Sequence, residues 1–561
     1  MGLLRGSAAR LAWAARGEAR LAAARAPAVM RPLFVIAAWS ALAIGMGSLI
    51  GFAAVILPPT GTFGIVAVVG VVLLWVMPDL EHVPDRAVRV LLFVAVVVNL
   101  TIPQYYTVQI ASLPWISARR LAVFSLIMLF AIAISGSSSA RKRMAETIVG
   151  CKWVSIGAFG FLMMAFFSIF TSIDPTFSMS VLVAAILEWY VPFLAMLYVI
   201  RDESDVERFV RVILWCALLV SAMGIVEFFI QKNVYFAMLP GFIVNQLLAT
   251  DPTFKEIANY NSIRNGMWRS ASVFNNGLSF AEFEAMMTPL ATLFLLHAST
   301  SRDKAFGAAL LVASLLGIFA SGSRGGYISA FAAFVVLLVV WTLRSRRFES
   351  GSLRHVLGWL LGLNGIALAV ALVIFWRRAH NIVLGGGAEA YSDQGRSDQW
   401  TLGIPKILEN PITGHGFGGG GEIIGYYTPS GLPTIDSDVL STLVETGVPS
   451  TVFFFGMIIY SIWRGLYRYV HDPSWRGALS GALGCALVAF LTYRPWLSQH
   501  ENRGLFFLMA ACLMFLDYYY VRAEKAEREA RLGAPEKSGP VTVSPGTAVR
   551  PAFQASPGPP A

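Results

Sequence analysis

Four polar stretches in an otherwise apolar chain carry side chains suited to chemistry. Arg269 stands in WRSASVFNNGLSFAEF, Arg324 in ASGSRGGYISAF, Arg396 in GRSDQW and Asp436 in IDSDVLSTLVETGVPS. Arginine stays charged and presents a planar fork that matches the oxygens of an anion. Around Arg324, Gly and Ser are small enough for backbone N–H groups to approach an oxyanion. Arg324 also opens an apolar helix, whose positive end favours negative charge. Asp436 offers the complementary function. A carboxylate within hydrogen-bond reach of a hydroxyl can take its proton as a new bond forms.

Plainer readings stand beside these. Arg269 and Arg324 sit at the ends of apolar runs, where arginine commonly reaches for lipid headgroups. Arg396 equally suits a loop-stabilising pair with Asp393 or Asp398. Asp438 directly precedes VLSTLVETG and reads as a helix N-cap. Ser279 and Glu282 form a capping-box pattern. Glu445 lies about two turns into its helix, on the face of Asp438, Ser441 and Thr442. An ionisable group at that depth is expected to face the protein interior and to position an arginine. The glycines Gly416 and Gly418 to Gly421 could cradle an anion, but a tightly turned loop is favoured. His415 lies within the same GHGFG run. Arg494 and His500, in RPWLSQHENR, could join the site, although nothing in the sequence shows that they do.

The elements that must position these residues are membrane helices. The chain has 561 residues, 56% hydrophobic and 14% charged, against about 25% charged for a typical soluble chain. Apolar runs of membrane-spanning length recur from Leu33 to Tyr520. The expected fold is an all-α polytopic membrane protein of about 12–14 transmembrane helices, the spans at 62–77 and 88–102 being short. The run from Leu33 to Leu57 is too long and too deep for a cleaved signal. Before it, 1–32 is a basic segment that either rests on the anionic inner leaflet or is a disordered leader. Residues 33–230 form the N-terminal helices, and 231–520 a membrane domain with outer-side loops at 231–276 and 377–438, the second lying before the last three spans. The end, 521–561, is a cytoplasmic and disordered tail.

Lys and Arg set the orientation. With the basic N-terminus inside, ARKR (140–143), SRDK (301–304), RSRR (344–347) and the tail also fall inside, so both termini are cytoplasmic. Arg119 and Arg120 are the exception, falling outside. The net charge of +10 therefore reports orientation in the bilayer and not a nucleic-acid partner. The four cysteines lie in or at the end of apolar segments without CxxC spacing, so neither a disulfide framework nor a zinc site is indicated. No outer-side cluster has metal-ligand spacing, and no metal or cofactor is expected; the D-x-D of IDSD spends its second Asp as a cap.

The ordered set of motifs resembles the O-antigen ligase and polymerase superfamily of bacterial surface-polysaccharide assembly. It consists of R-x-x-x-x-F-x-N-G-L, S-R-G-G before a helix, G-R-x-x-x-W, N-P-x-x-G-x-G-F-G and L-x-x-L-V-E-T-G, spanning Arg269 to Pro449. No motif alone is specific; their order on one side of the membrane is the stronger signal. The resemblance implies a multi-pass protein of the bacterial inner membrane and a glycan donor linked through a diphosphate to a polyprenyl carrier. It also implies a glycan or lipid acceptor, and allows for other polysaccharide-assembly proteins as partners. Arg269, Arg324 and Asp436 would then be catalytic, with Arg396, Trp400, His415, Gly416, Gly418 and Glu445 binding substrate. Trp400, Tyr426 and Tyr427 either stack on sugars or anchor at the interface. The family's ligases typically carry His-Asn ahead of L-x-x-L-V-E-T-G, where this chain has Asp436 and Ser437. That departure shifts the expectation from ligation towards polymerisation. A transporter is the competing class, disfavoured because neither an internal repeat nor paired helix breaks are read.

Overall fold

The computed structural model describes residues 83–108, 116–250, 254, 263–264, 267–348, 390–427, 431 and 433–533, with isolated positions between 356 and 374. The expected segment 1–32, the spans 33–57 and 62–77, the loop start 377–389 and the tail beyond 533 lie outside the described residues. So does most of the span 356–376. Two compact units are distinguished, Met1–Asp517 and Tyr518–Ala561. The described part of the second is helical.

The described helices are α1 (Asp85–Thr101), α2 (Ala118–Ser135), α3 (Ser138–Gly150), α4 (Lys152–Phe167), α5 (Pro175–Ala185) and α6 (Val191–Val199). There follow α7 (Glu203–Ile230), α8 (Val234–Ala237), α9 (Gly241–Thr250), α10 (Gly277–His297), α11 (Ser301–Ser321) and α12 (Arg324–Phe348). The series ends with α13 (Ala390–Glu409), α14 (Gly420–Ile424), α15 (Asp438–His471), α16 (Trp475–Tyr493) and α17 (Arg503–Gly533). Two antiparallel hairpins pair Thr107–Val108 with Ile116–Ser117 and Ile263–Arg264 with Met267–Trp268. Among the described residues, ten helical segments are long and apolar enough to cross a bilayer. The chain is an all-α polytopic membrane protein, and its helices satisfy their backbone groups internally, as a lipid surrounding requires.

The helix α10 is the centre of the bundle. It packs against α7, α11, α12 and α16, and 89% of its span is buried, against 28% for α2 at the periphery. That position explains how it carries Glu282 and Glu284, both 0% exposed: acids in a span are tolerated where they face protein. Glycine permits the closest packing. A Cβ on Gly307 of α11 would stand 2.7 Å from the Ala291 carbonyl of α10, the small-residue contact typical of membrane helix pairs.

Loops that alternate crossing assigns to one side meet at one end of the bundle. At the basic end Arg211 bridges Glu207 and Asp303. There too, Arg344 donates to the carbonyls of Tyr469, Asp472 and Pro473, closing the end of α15. At the other end Thr171 Oγ1 donates to the Gly414 carbonyl at 2.8 Å, and Ser270 N to the Ala320 carbonyl at 2.9 Å. Here Arg119, the exception to the charge rule, donates Nε to the Ile102 carbonyl at 2.6 Å and interacts electrostatically with Glu188 and Glu501. Its charge is used inside the protein, so it does not weigh on orientation.

Several local expectations are corrected. A π turn, Ile186–Tyr190, interrupts Pro175–Val199, and α15 breaks at Gly447 (φ 84°, ψ 175°). The segment read as the loop 377–438 contains a five-turn helix, α13. Ser279 and Glu282 form no capping box: Asn276 caps α10, accepting from Leu278 N and Ser279 N. Glu282 instead reaches Arg494 and Asn502. Asp438 is not the N-cap of α15 either. Ser437 is, its hydroxyl accepting from Leu440 N, and Asp438 is drawn into ion pairs.

Candidate active site

The end of the bundle opposite the basic one is organised by a break and a loop that fills it. Gly447 halts the first part of α15, and Pro449, without an N–H, cannot bond the Glu445 carbonyl. The carbonyls freed by the break accept from the following loop: His415 N reaches the Val444 carbonyl at 2.9 Å and Gly416 N the Glu445 carbonyl at 3.0 Å. In return Val448 N donates to the Pro411 carbonyl at 2.8 Å. The motifs N-P-I-T-G-H-G and L-V-E-T-G-V-P are thus two halves of one docking joint. Gly447 is required there, because a side chain would run into the Ile412 and Pro411 carbonyls and φ is positive.

Glu445 completes the joint. Its buried carboxylate accepts from Gly418 N at 2.8 Å, Gly420 N at 3.0 Å and Ser441 Oγ at 2.6 Å. The glycine loop does cradle an anion, and that anion is the protein's own Glu445. His415 Nε2 donates to the Lys406 carbonyl at 2.8 Å, since a carbonyl only accepts. The turn that Gly416 and Gly418 make, with φ of 114° and 91°, drives Phe417 inward. Its ring packs on Phe161, Trp189 and His500.

Below the loop lies a buried ionic chain. Arg494, 0% exposed, pairs with Glu282 and, at 3.4 Å, with Asp438, and its Nη1 donates to the Gln499 carbonyl at 3.0 Å. Arg503 pairs with the other Asp438 oxygen and lies over the rings of Trp189 and Phe454. Asn502 donates to Glu282 and to the Ser279 carbonyl, each at 2.9 Å. Two acids and two bases balance in a region where an unpaired charge would cost several kcal/mol. This chain ties α10, α15, α16 and α17 together directly beneath the loops. His500, buried beside Arg503 and Arg494, is held well below its ordinary value, first by burial and then by those two charges. Burial likewise raises Glu501, which accepts from Asn275 N at 3.0 Å.

Above it stands an alternating chain of arginines and acids. Gly322 (φ 60°) ends α11 and α12 starts at Arg324. The same turn seats Arg269, whose Nε donates to the Ser321 carbonyl at 3.1 Å and whose stem lies against Gly322. Arg269 and Arg324 therefore share one turn, although 55 positions separate them in the sequence. Arg324 grips Asp393 with both Nη atoms, at 2.7 and 3.3 Å. Arg396 Nη1 contacts Asp393 at 3.3 Å and its Nε lies 3.9 Å from Asp436. The backbone of Asp436 is fixed by Gln399, whose buried amide oxygen accepts from Asp436 N at 2.9 Å. Burial pushes the Asp436 carboxyl up, while Arg396 pulls it down.

The structure thus brings Arg269, Arg324, Arg396 and Asp436 to one end of the bundle. His415, Gly416, Gly418 and Glu445 build the loop beside them, and Trp400 sits exposed on α13 next to Gln399. Sequence reasoning did not find Asp393 as the bidentate partner of Arg324, nor Glu282, Asp438, Gln399, Phe417 and Arg503. One signal for the arginines was available: the charge rule expects the side to which it assigns Arg119, Arg494 and Arg503 to be poor in positive charge.

The described structure is a polytopic helical bundle with arginines and acids gathered at one end. Residues 309–455 match the family model described as O-antigen ligase, which supports the resemblance to the O-antigen ligase superfamily over that stretch. The match takes in Arg324, Asp393, Arg396, Asp436 and the docking joint; Arg269, Arg494 and Arg503 lie outside it. None of the curated proteins matches the chain. The family is one of glycosyl-transferring enzymes of the ligase and polymerase kind, acting on lipid-linked glycans at the bacterial inner membrane.

Proposed function

We propose that this protein polymerises polyprenyl-diphosphate-linked oligosaccharide repeats on the outer face of the cytoplasmic membrane, with both termini inside. The observation that carries the reading is the run Arg324, Asp393, Arg396, Asp436, in which anion-binding forks stand beside a half-buried carboxylate. The acceptor hydroxyl attacks the anomeric carbon of the donor. A C–O bond forms there, the bond from that carbon to the phosphate oxygen breaks, and the electron pair leaves with the lipid diphosphate. Asp436 takes the hydroxyl proton. Arg324, Arg269 and Arg396 stabilise the negative charge that grows on the leaving group, where preorganised cations act most strongly.

Polymerisation is favoured over ligation because Asp436 and Ser437 stand where the family's ligases typically carry His-Asn. Ser437 is committed to capping α15, which leaves Asp436 as the proton acceptor. Ligation of the finished glycan to lipid A core or another acceptor is the second reading, supported by the description of the matched family. The test is surface polysaccharide made by cells carrying Arg324→Ala, Arg269→Ala or Asp436→Asn at equal protein level. Each arginine variant is expected to lose roughly 10²–10³-fold in rate. Unchanged polymer with the arginine variants would remove the diphosphate site, and unchanged chain length with Asp436→Asn would remove the base.

A further inference from the structure

We propose that Asp393 is a stand-in for the donor's phosphate, occupying the arginine forks between turnovers and yielding them when the donor binds. The inference rests on the reading of Arg324 and Arg396 as the diphosphate site. Arg324 meets the Asp393 carboxylate fork to fork, at 2.7 and 3.3 Å, and Arg396 adds a third contact at 3.3 Å. A guanidinium uses this same geometry for phosphate oxygens. The acid is the more exposed partner, at 42% against 17% and 20% for the two arginines. It therefore covers the forks from the solvent side.

Charge sets the direction of exchange. One carboxylate offers a single negative charge to two guanidiniums, and a diphosphate offers more charge and more oxygens to the same forks. The donor displaces Asp393, weakening its own ground-state binding by the strength of the broken pair. After transfer the freed lipid diphosphate carries one more ionisable oxygen than the ester did, and without a competitor it would remain on the arginines. Asp393 returning to Arg324 and Arg396 lowers the barrier to that release. Asp393 is accordingly a positioning residue that sets donor affinity and product release, and takes no part in bond making.

The probe is inorganic pyrophosphate, titrated onto the full-length protein in nanodiscs. Asp393→Asn is expected to bind it more tightly than the wild type, by about two- to fivefold, because an exposed competing ion pair has been removed. With lipid-linked donor, the same variant is expected to show lower KM together with lower kcat as product lingers. Asp393→Ser serves as a second variant that also removes the carboxylate. Pyrophosphate binding that is unchanged or weaker in both variants overturns the proposal, leaving Asp393 as a fixed brace for Arg324. Arg324→Ala is measured alongside. If it binds pyrophosphate as the wild type does, the diphosphate reading itself fails. If it loses binding while the Asp393 variants do not gain it, the stand-in role alone fails.

Discussion

Asp438→Asn separates two physical roles that the same residue could play. Asn caps a helix as well as Asp does, so a capping Asp438 would tolerate the change. The structure instead places Asp438, 0% exposed, between Arg494 and Arg503, which are 0% and 1% exposed. Removing the carboxylate charge leaves two guanidiniums facing one acid, Glu282, in a region buried from bulk solvent. Breaking one partner of such a buried set costs about 3–5 kcal/mol. Because 1.4 kcal/mol is tenfold, that is roughly a 10²–10⁴ shift in the folding equilibrium. Unfolding of the purified protein in mixed micelles would measure it. The companion is Asp438→Asn with Arg503→Gln, which restores charge balance and is expected to recover part of the loss, with a coupling of about 0.5–3 kcal/mol. Asp438→Asn within about 0.5 kcal/mol of the wild type would refute the ionic account. A double variant equal to the sum of its singles would do the same.

Gly447→Ala forces a side chain into an extended positive-φ conformation, φ 84° and ψ 175°, at about 1–3 kcal/mol, and into the Ile412 carbonyl. The loop 410–421 is expected to detach, read as new protease cleavage there together with lost activity. A variant with an intact loop would show that the break is not what seats it. Asp436 acts as a base only when ionised, and its carboxyl is raised by burial. The rate is therefore expected to fall as pH drops through a pKa above the ordinary value of about 3.9. The pH dependence of kcat/KM checks this: an acid limb that persists in Asp436→Asn would assign the base elsewhere. His500 is held far below 6.5 and is not expected to contribute a limb near neutrality.

The spans were legible because a bilayer demands about twenty apolar residues in a row, and the polar stretches stood out against them. The end-to-end order of the site was legible for the same reason, since alternate crossing puts Arg269, Arg324 and Asp436 on one side. The pairing of Arg396 with Asp393 was among the readings open from their three-residue spacing. What was not legible were partners set by packing. Arg494 finds Glu282 across 212 positions and Asp438 across 56, and no local pattern announces either. Neighbouring polar residues also compete for the same role. In S-D-V-L, Ser437 takes the cap and frees Asp438 for ion pairing; in N-N-G-L-S-F-A-E, Asn276 takes it and frees Glu282. The break at Gly447 was written in G-V-P, but its purpose appears only with the loop that docks there.

The central claim is that this membrane domain joins lipid-linked glycans through arginines at its outer face. Its most direct test is purified protein incubated with polyprenyl-diphosphate oligosaccharide and no other acceptor, the carrier-linked products being sized. Longer carrier-linked chains, abolished by Arg324→Ala, are the predicted result. Products that appear only after lipid A core is added would turn the reaction to ligation. Oligosaccharide left unchanged under both conditions would contradict the account.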